Sequence, residues 1–401
     1  MLTSKPTLIG FLLVLGLLAP PGPALAQRIE SDAERHAGDD DNDRDAERDA
    51  RRPVIVGDGT PASCTEMALR HALNVAQASG GGIVRFRCGG RPVRIILSQP
   101  TPIVPPDDTT IDGGGLITLV GTADGIVVSV APGTAVVLRN LNITHGASLF
   151  PLLQNDGTLR IRNSTVSDNP GGGIVNNGTL TVRHSTIAGN GLSQFGTGGI
   201  DNFGELTVRN SVFSRNEGFD SGGIFNTGTA TVAHSTFFDN GSEGDGGIGN
   251  SGTLTVINSR FTQNGGVFGD GGIGNAGTLT VRNSTFSANR ANQGGAGGIG
   301  NGGSATVTGS RFSGNLGALG GGIAHSGDTL TIRSSVFSGN SAIQGGGIFN
   351  CDGTVAVHNS LITNNTAFDQ GGGIFNCPGS TTTLRNTLVR GNEPDDIAPA
   401  P

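Results

Sequence analysis

A unit of about 25 residues repeats along most of the chain after residue 150, and it restricts the fold more than any other feature. A Gly-Gly-Ile core recurs at intervals of 24 to 26 residues, with its isoleucine at positions 174, 200, 224, 248, 273, 299, 323, 348 and 374. An apolar-x-x-Asn element recurs in step, as at Phe237 to Asn240. Between them lie alternating segments such as Thr253 to Val256. Each repeat is therefore predicted to contain three short strands joined by Gly, Asn and Ser turns.

Strands this short cannot bury an apolar face within one repeat, but stacked repeats can align Ile, Leu, Val and Phe in a continuous core. The predicted fold is all-β: a single-stranded, right-handed parallel β-helix. Counting from Ile83 to Asn392 gives about twelve coils and a length near 60 Å at the usual strand spacing. The asparagine that follows each Gly-Gly-Ile core by two residues is predicted to form an inner or corner ladder, interrupted by His325.

The chain before the repeats divides into three predicted segments. Residues 1–26 combine Lys5, an apolar run and the small-residue site Ala24-Leu25-Ala26, which is typical of a cleaved signal peptide. Residues 27–61 are rich in charge and poor in apolar residues, so we expect a disordered tether. Residues 62–392 form the β-helix, opened by a capping helix over 62–80, and residues 393–401 form a C-terminal tail.

Charge restricts the partners of the protein. The formal net charge is −7, so overall charge gives no support for binding nucleic acid. The apolar run in the signal peptide is too short to span a bilayer, and we expect no transmembrane anchor in the mature chain.

Four cysteines in an exported chain indicate two disulfides. Cys64 and Cys88 bracket the predicted cap helix and the first strand. Cys351 and Cys377 each follow a repeat isoleucine by three residues, so stacking places them on adjacent coils at a spacing that a disulfide can bridge. We favour these two pairings over free thiols.

The repeat resembles that of the polymorphic outer-membrane-protein family, in which a Gly-Gly-Ala-Ile-like tetrapeptide alternates with Phe-x-x-Asn. Here these elements read Gly222-Gly223-Ile224 and Phe237 to Asn240, and the likeness covers about residues 165–392. The segment from Cys64 to Gly114 is also similar to the start of pectate-lyase-like β-helix proteins. The resemblance implies the same fold and, for family members that are autotransporters, a role as surface adhesins.

Near-uniform repeats without long loops favour a non-catalytic secreted or envelope-associated protein. Its expected role is adhesion, structure, or contact with extracellular polysaccharide or a host or cell-surface glycan. A fold of this kind supports many functions, so alternatives stay open.

One alternative is a polysaccharide lyase or glycoside hydrolase, which needs acidic groups from adjacent coils. The candidate catalytic residues are Asp220, Asp245 and Asp270, in turns before the Gly-Gly-Ile core, and the candidate calcium ligands are Glu243, Asp245 and Asp270. We prefer to interpret these aspartates as solvated turn residues without a cofactor, because no basic partner is tied to them in the sequence.

A second alternative is an ice-binding-like face made of outward threonines. The pairs are Thr179/Thr181, Thr229/Thr231, Thr253/Thr255, Thr278/Thr280 and Thr329/Thr331. Glu205 breaks one row, and arginines such as Arg183 and Arg209 often follow, so good strand propensity explains these threonines more simply. The arginines could attract an acidic glycan or lipid headgroup, although exposed arginines usually form only a solvated face.

Overall fold

The protein is described here by a computed structural model that covers residues 52–98, 101–122, 125–145, 151–192 and 196–398. The predicted signal peptide and the tether up to residue 51 lie outside the described residues. No helix in the described part of the chain is both long and apolar enough to cross a membrane.

The first elements form the N-terminal cap and the first coils. A short 3-10 turn, Pro61–Ser63, precedes helix α1, Glu66–Ala78. The strands in this part are β1 (Val54–Val56), β2 (Gly82–Phe86), β3 (Val93–Leu97), β4 (Thr109–Gly121), β5 (Val128–Val130) and β6 (Ala135–Thr144).

The next coils carry three strands each, and a fourth two-residue strand joins them from β16 onward. These strands are β7 (Leu153–Asn155), β8 (Thr158–Arg162), β9 (Thr165–Ser167), β10 (Ile174–Asn176), β11 (Thr179–Arg183), β12 (Thr186–Ala188), β13 (Ile200–Asn202), β14 (Glu205–Arg209), β15 (Val212–Ser214), β16 (Glu217–Gly218), β17 (Ile224–Asn226), β18 (Thr229–Ala233), β19 (Thr236–Phe238), β20 (Gly241–Ser242), β21 (Ile248–Asn250), β22 (Thr253–Ile257), β23 (Arg260–Thr262) and β24 (Gly265–Gly266).

The C-terminal coils continue the same order. Their strands are β25 (Ile273–Asn275), β26 (Thr278–Arg282), β27 (Thr285–Ser287), β28 (Arg290–Ala291), β29 (Ile299–Asn301), β30 (Ser304–Thr308), β31 (Arg311–Ser313), β32 (Ile323–His325), β33 (Thr329–Arg333), β34 (Val336–Ser338), β35 (Ser341–Gln344), β36 (Ile348–Asn350), β37 (Thr354–His358), β38 (Leu361–Thr363), β39 (Thr366–Gln370), β40 (Ile374–Asn376), β41 (Thr381–Arg385), β42 (Leu388–Arg390) and β43 (Ile397–Ala398).

Every paired strand is parallel to its neighbour one coil away, so the chain is a right-handed parallel β-helix of about 12 coils. We call the large sheet of 25 strands sheet A; it holds the Thr-Leu-Thr-Val segments and the Phe-containing strands. Sheet B has 12 strands and holds the Gly-Gly-Ile segments, from β5 to β43. The predicted register is confirmed, because Ile248 pairs with Ile224 on one side and Ile273 on the other.

The core consists of identical residues stacked in columns. The repeat isoleucines are buried, and six phenylalanines stack with ring centroids 4.6–4.8 Å apart: Phe213, Phe237, Phe261, Phe286, Phe312 and Phe337. Asn176 and Asn202 belong to the predicted ladder, in which each side-chain amide donates to the Oδ1 of the next asparagine, here over 2.6 Å. His325 replaces one asparagine in this ladder, and its Nδ1 lies 2.9 Å from Nδ2 of Asn301. The asparagine amides therefore bond to one another along the stack. The ladder is interrupted at His325, where Nε2 of His325 and Oδ1 of Asn350 have no hydrogen-bond partner among the described residues.

Both ends differ in detail from the prediction. Helix α1 is shorter than the predicted span of 62–80, because Thr65 caps it by accepting from Ala68 N, and its buried face contacts β1, β2 and β3. Residues 54–56, which the sequence predicts to belong to the disordered tether, form β1 and pair with β2. In the predicted tail, residues 397–398 form β43, and Asp396 accepts hydrogen bonds from Asn392 at the end of a second asparagine ladder.

The two predicted disulfides are confirmed. Cys64 joins Cys88 with a Cα–Cα distance of 5.8 Å, and Cys351 joins Cys377 at 4.8 Å. The second distance equals the strand spacing because the two cysteines lie on adjacent coils.

The inward position of Ile248 generates a test. Ile248→Asp places an unpaired carboxylate in the stacked core and is expected to remove the cooperative melting transition or to cost more than about 4 kcal/mol. Thr253→Asp, at an exposed position of the same coil, should change stability by no more than about 0.5 kcal/mol. Thermal unfolding followed by circular dichroism checks both, and an unchanged transition for Ile248→Asp would contradict the inward assignment.

Candidate functional site

The outer surface of sheet B contains a groove whose floor strands carry no outward side chains of their own at three consecutive glycines. Side chains alternate along a strand, so the residue between the inward Ile and Asn points outward. In register along the stack, this outward position holds Phe225, Gly249, Gly274, Gly300, Ala324 and Phe349. Three glycines and an alanine between two phenylalanines leave a trough with a volume of about 410 Å³. We call this trough the glycine groove.

Asp245 and Asp270 line one side of the glycine groove. They occupy equivalent positions on adjacent coils, three residues before Ile248 and Ile273, so their backbones lie about 4.8 Å apart. Oδ1 of Asp245 accepts from Asp270 N over 2.8 Å, and Oδ1 of Asp270 accepts from Ala296 N over 2.6 Å. Each carboxylate is thus held against the next coil and does not extend into solvent.

Glycine is required beneath both carboxylates. A Cβ at Gly274 would collide with both oxygens of Asp245, and a Cβ at Gly300 would collide with both oxygens of Asp270. The carboxylates therefore fill the space that outward side chains occupy elsewhere on sheet B. Both aspartates are half-buried and lie flat on the sheet, so they are less exposed than the solvated turn residues that the sequence predicts.

Burial changes the acidity of this pair. Burial raises the pKa of Asp245 to about 6, although the hydrogen bond donated by Asp270 N lowers this pKa. Burial, together with the charge of Asp245, raises the pKa of Asp270 well above the ordinary range. Two neighbouring carboxyl groups of this kind hold a proton near neutral pH, so the pair can both donate and accept hydrogen bonds to a bound hydroxyl group.

The other predicted acidic residues do not join this pair. Asp220 is exposed in the preceding coil, and Glu243 is half-buried, with its backbone paired to Gly218 and Phe268. Within the described ranges, no three His, Cys, Asp or Glu side chains are grouped so that they could hold a metal ion. The predicted calcium set of Glu243, Asp245 and Asp270 is therefore not assembled.

The sequence interpretation missed three features of this surface. Ser221 precedes Asp245 in the same row, and its buried hydroxyl has no hydrogen-bond partner among the described residues. Asp201, on the preceding coil, lines a cavity of about 190 Å³. Burial and the charge of Asp220 raise the pKa of Asp201, although hydrogen bonds from Thr197 partly offset this rise. The third feature is the glycine row itself, visible in the sequence as three consecutive repeats with Ile-Gly-Asn.

Apolar side chains form the rim of the glycine groove. Phe268 is 63% exposed near Asp270, Leu319 also lines the groove, and Phe349 closes one end of the floor row. Phe349 stacks on Phe375 with ring centroids 5.4 Å apart. The groove therefore offers aromatic surfaces and hydrogen-bonding carboxyl groups to one ligand.

The outward threonines lie in two rows on sheet A, away from this groove. Thr229 pairs with Thr253 and Thr231 with Thr255, and the rows continue through Thr278 and Thr280. Glu205 interrupts the first row, as the sequence indicates.

The comparisons with known proteins agree with the fold. A family model described as "Right handed beta helix region" matches residues 118–261. No curated protein matches the sequence.

Three solved structures are similar to the chain. The A-module of mannuronan C-5 epimerase AlgE4 from Azotobacter vinelandii has 13% identity and a TM-score of 0.49 over 86% of this chain and 97% of that chain. The A-module of AlgE6 from the same organism has 13% identity and a TM-score of 0.43 over 88% and 100%. PfbA, a surface adhesin of Streptococcus pneumoniae, has 11% identity and a TM-score of 0.45 over 86% and 93%.

The raised pKa values of the carboxyl pair predict how stability depends on pH. The folded protein holds the proton of Asp245 more tightly than the unfolded chain, so this stabilisation is complete below about pH 4 and is lost as pH rises through about 6. The raised pKa of Asp270 acts in the same direction. Between pH 4.5 and pH 7.5 the wild type should therefore lose on the order of 2 kcal/mol of its free energy of unfolding. The variant that combines Asp245→Asn with Asp270→Asn should not show this loss.

Melting temperatures of this variant and the wild type across that pH range provide the measurement. Asp239→Asn removes a carboxylate at an exposed position away from the pair and is the matched control for the loss of one charge. Identical profiles for the wild type and the double variant would contradict the burial of the pair.

Proposed function

We propose that this chain is an exported, non-catalytic β-helix that binds a segment of extracellular or cell-surface glycan in the glycine groove. The observation that carries this proposal is the open trough with an aromatic rim, in which two carboxyl groups lie over the glycines of the floor. Sugars expose C–H faces that pack on aromatic rings and hydroxyl groups that bond to carboxyl groups, and the groove supplies both partners.

The shape of the groove favours a linear ligand. Its floor follows the stack from Gly249 to Ala324, so a chain lying in it would run parallel to the helix axis and cross successive coils. The lining contains Asp245 and Asp270 but no Lys or Arg among the described residues. A neutral glycan therefore fits this groove better than an acidic one.

Two disulfides support an oxidising compartment outside the cytosol. The proposed route is export by the signal peptide over residues 1–26, and the charged segment that follows would separate the β-helix from whatever surface retains it. Adhesion or a structural role in the envelope would follow from glycan binding at such a surface.

A second candidate function is glycoside hydrolysis, and one specific observation favours it. A carboxyl group with a pKa near 6, next to a second carboxyl group, has the acidity that a general acid requires. Both Oδ1 atoms, however, are already occupied by backbone N–H groups of the next coil, which gives the pair a structural role as well.

The test of glycan binding uses exposed aromatic residues, whose replacement leaves the core intact. Phe268→Ala should weaken binding of neutral hexasaccharides of the glucan, xylan, mannan and chitin types by about tenfold, since it removes one stacking surface from the rim. Phe368→Ala removes an aromatic side chain that is 92% exposed and does not line the groove, and it should have no effect. An array screen followed by calorimetry on the best hexasaccharide provides the measurement.

The same samples separate binding from catalysis. Under the binding proposal the hexasaccharide is recovered intact after prolonged incubation, whereas new reducing ends that disappear in Asp245→Asn would establish hydrolysis. Failure of every neutral hexasaccharide to bind, or equal affinity for Phe268→Ala and the wild type, would overturn the proposed use of the groove.

A further inference from the structure

A titratable side chain interrupts the asparagine ladder of sheet B at a fully buried position. Along the ladder each side-chain amide donates to the Oδ1 of the next asparagine, as from Asn275 to Asn301 over 2.7 Å. His325 pairs in register between Asn301 and Asn350, and none of its surface is exposed. The histidine therefore occupies a place where the stack requires a group that accepts from one coil and donates to the next.

One nitrogen of the His325 ring meets both a donor and an acceptor of Asn301. Nδ1 of His325 lies 2.9 Å from Nδ2 of Asn301 and 3.2 Å from the backbone O of the same residue. Nδ2 of Asn301 also donates to Gly303 O over 2.9 Å. Because an amide nitrogen only donates, the neutral ring accepts at Nδ1 and carries its proton at Nε2. A protonated ring loses the bond from Nδ2 and can donate from Nδ1 only to the backbone O.

The other side of the ring leaves the ladder open toward the next coil. Nε2 of His325 and Oδ1 of Asn350 are both buried, and neither has a hydrogen-bond partner among the described residues. The ring nitrogen is directed at the backbone of the next coil, since a Cβ at Gly353 would collide with Nε2. A junction with two unsatisfied polar atoms is weaker than a junction at which the ladder is complete.

Protonation of the ring places a positive charge in this buried junction. Burial lowers the pKa of His325, although the hydrogen bond to Asn301 O and the negative charge of Asp328 raise it. Asp328 lies on the same coil as His325, Asp352 follows β36 on the next coil, and residues 299–304 of the preceding coil carry no titratable side chain. The neutral ring therefore stabilises the fold fully above the ordinary histidine pKa of about 6.5, and this contribution is lost as pH falls below that value.

The coils beyond the break are tied to each other, whereas the break itself is not. The disulfide between Cys351 and Cys377 joins the turn after β36 to the turn after β40. All four cysteines of the chain are used in its two disulfides, so the junction of β32 with β36 has no covalent link. This junction is held by backbone pairing such as the bond from Cys351 N to His325 O, which is 2.8 Å long.

We propose that His325 makes this junction sensitive to acid, so that protonation of its ring loosens the pairing of β32 with β36 while the coils on either side stay folded. Local opening of one junction needs less free energy than global unfolding. Ala324 and Phe349 belong to these two strands and lie at one end of the glycine groove, so acid loosens that end of the groove. The proposal does not depend on what the groove binds.

Hydrogen exchange followed by NMR measures the opening. The probes are the amide of Ile323, which donates to Gly347 O, and the amide of Cys351. After correction for intrinsic exchange rates, their opening constants should rise about tenfold between pH 7.5 and pH 5. The amides of Ile348 and Cys377, which hold the equivalent junction of β36 with β40, should change less than threefold.

A single substitution completes the ladder. In His325→Asn, the new amide can accept from Asn301 and donate to Asn350, so the pH dependence at the Ile323 and Cys351 amides should disappear. His234→Asn is the matched control, because it makes the same substitution at an exposed position whose neighbour on the next coil is Asn258. This control should behave like the wild type.

The carboxyl pair of Asp245 and Asp270 is present in all three proteins, so its own pH dependence cancels in the comparison. Equal pH dependence of the probe amides in the wild type and His325→Asn, or none in the wild type, would overturn the proposal. A nitrogen-15 NMR titration of the wild-type imidazole gives a second test that needs no variant. We expect a proton on Nε2 at neutral pH and a midpoint below the ordinary value of about 6.5, and a midpoint at or above that value would also overturn the proposal.

Discussion

The structure depends on parallel backbone pairing in one register from coil to coil. Each strand bonds to the equivalent strand above and below, so a residue type that recurs every 24 to 26 positions becomes a continuous row along the stack. Isoleucine and phenylalanine rows form the core, and asparagine rows satisfy one another at the corners. The same register aligns outward residues, which makes extended surfaces from single positions in the repeat. A slip of one residue on any coil would break all of these rows together.

The rows that use one residue type per repeat could be predicted from the sequence. The Ile column, the Asn ladder and the adjacent cysteines required only the period. The direction of the Asp245 and Asp270 side chains could not be predicted, because it depends on glycine at a different position of the next coil and on a turn whose path the period does not specify. Arg139 was missed as the start of an arginine row on sheet A because it precedes the recognisable repeat, in strands of irregular length. Strand β1 was missed because its short apolar segment follows a charged region.

Two surfaces of opposite character coexist because the sheets of a β-helix face different directions. The glycine groove on sheet B presents carboxyl groups whose pKa is raised by burial, and sheet A carries Arg139, Arg162, Arg183 and Arg209 in register on consecutive coils. The net charge of the chain indicates neither surface, because each arises from the alignment of a few residues on adjacent coils.

The central claim is that the register places the carboxyl groups of Asp245 and Asp270 flat over Gly274 and Gly300, where burial makes them weak acids. Carbon-13 NMR of protein labelled at the aspartate carboxyl carbons measures this directly. We expect one resonance to titrate at about pH 6 and a second well above the ordinary aspartate range, and both to be absent from the variant with Asn at these two positions. If every aspartate instead titrates near the ordinary value of about 3.9, the carboxyl groups face solvent and the account of this site is wrong.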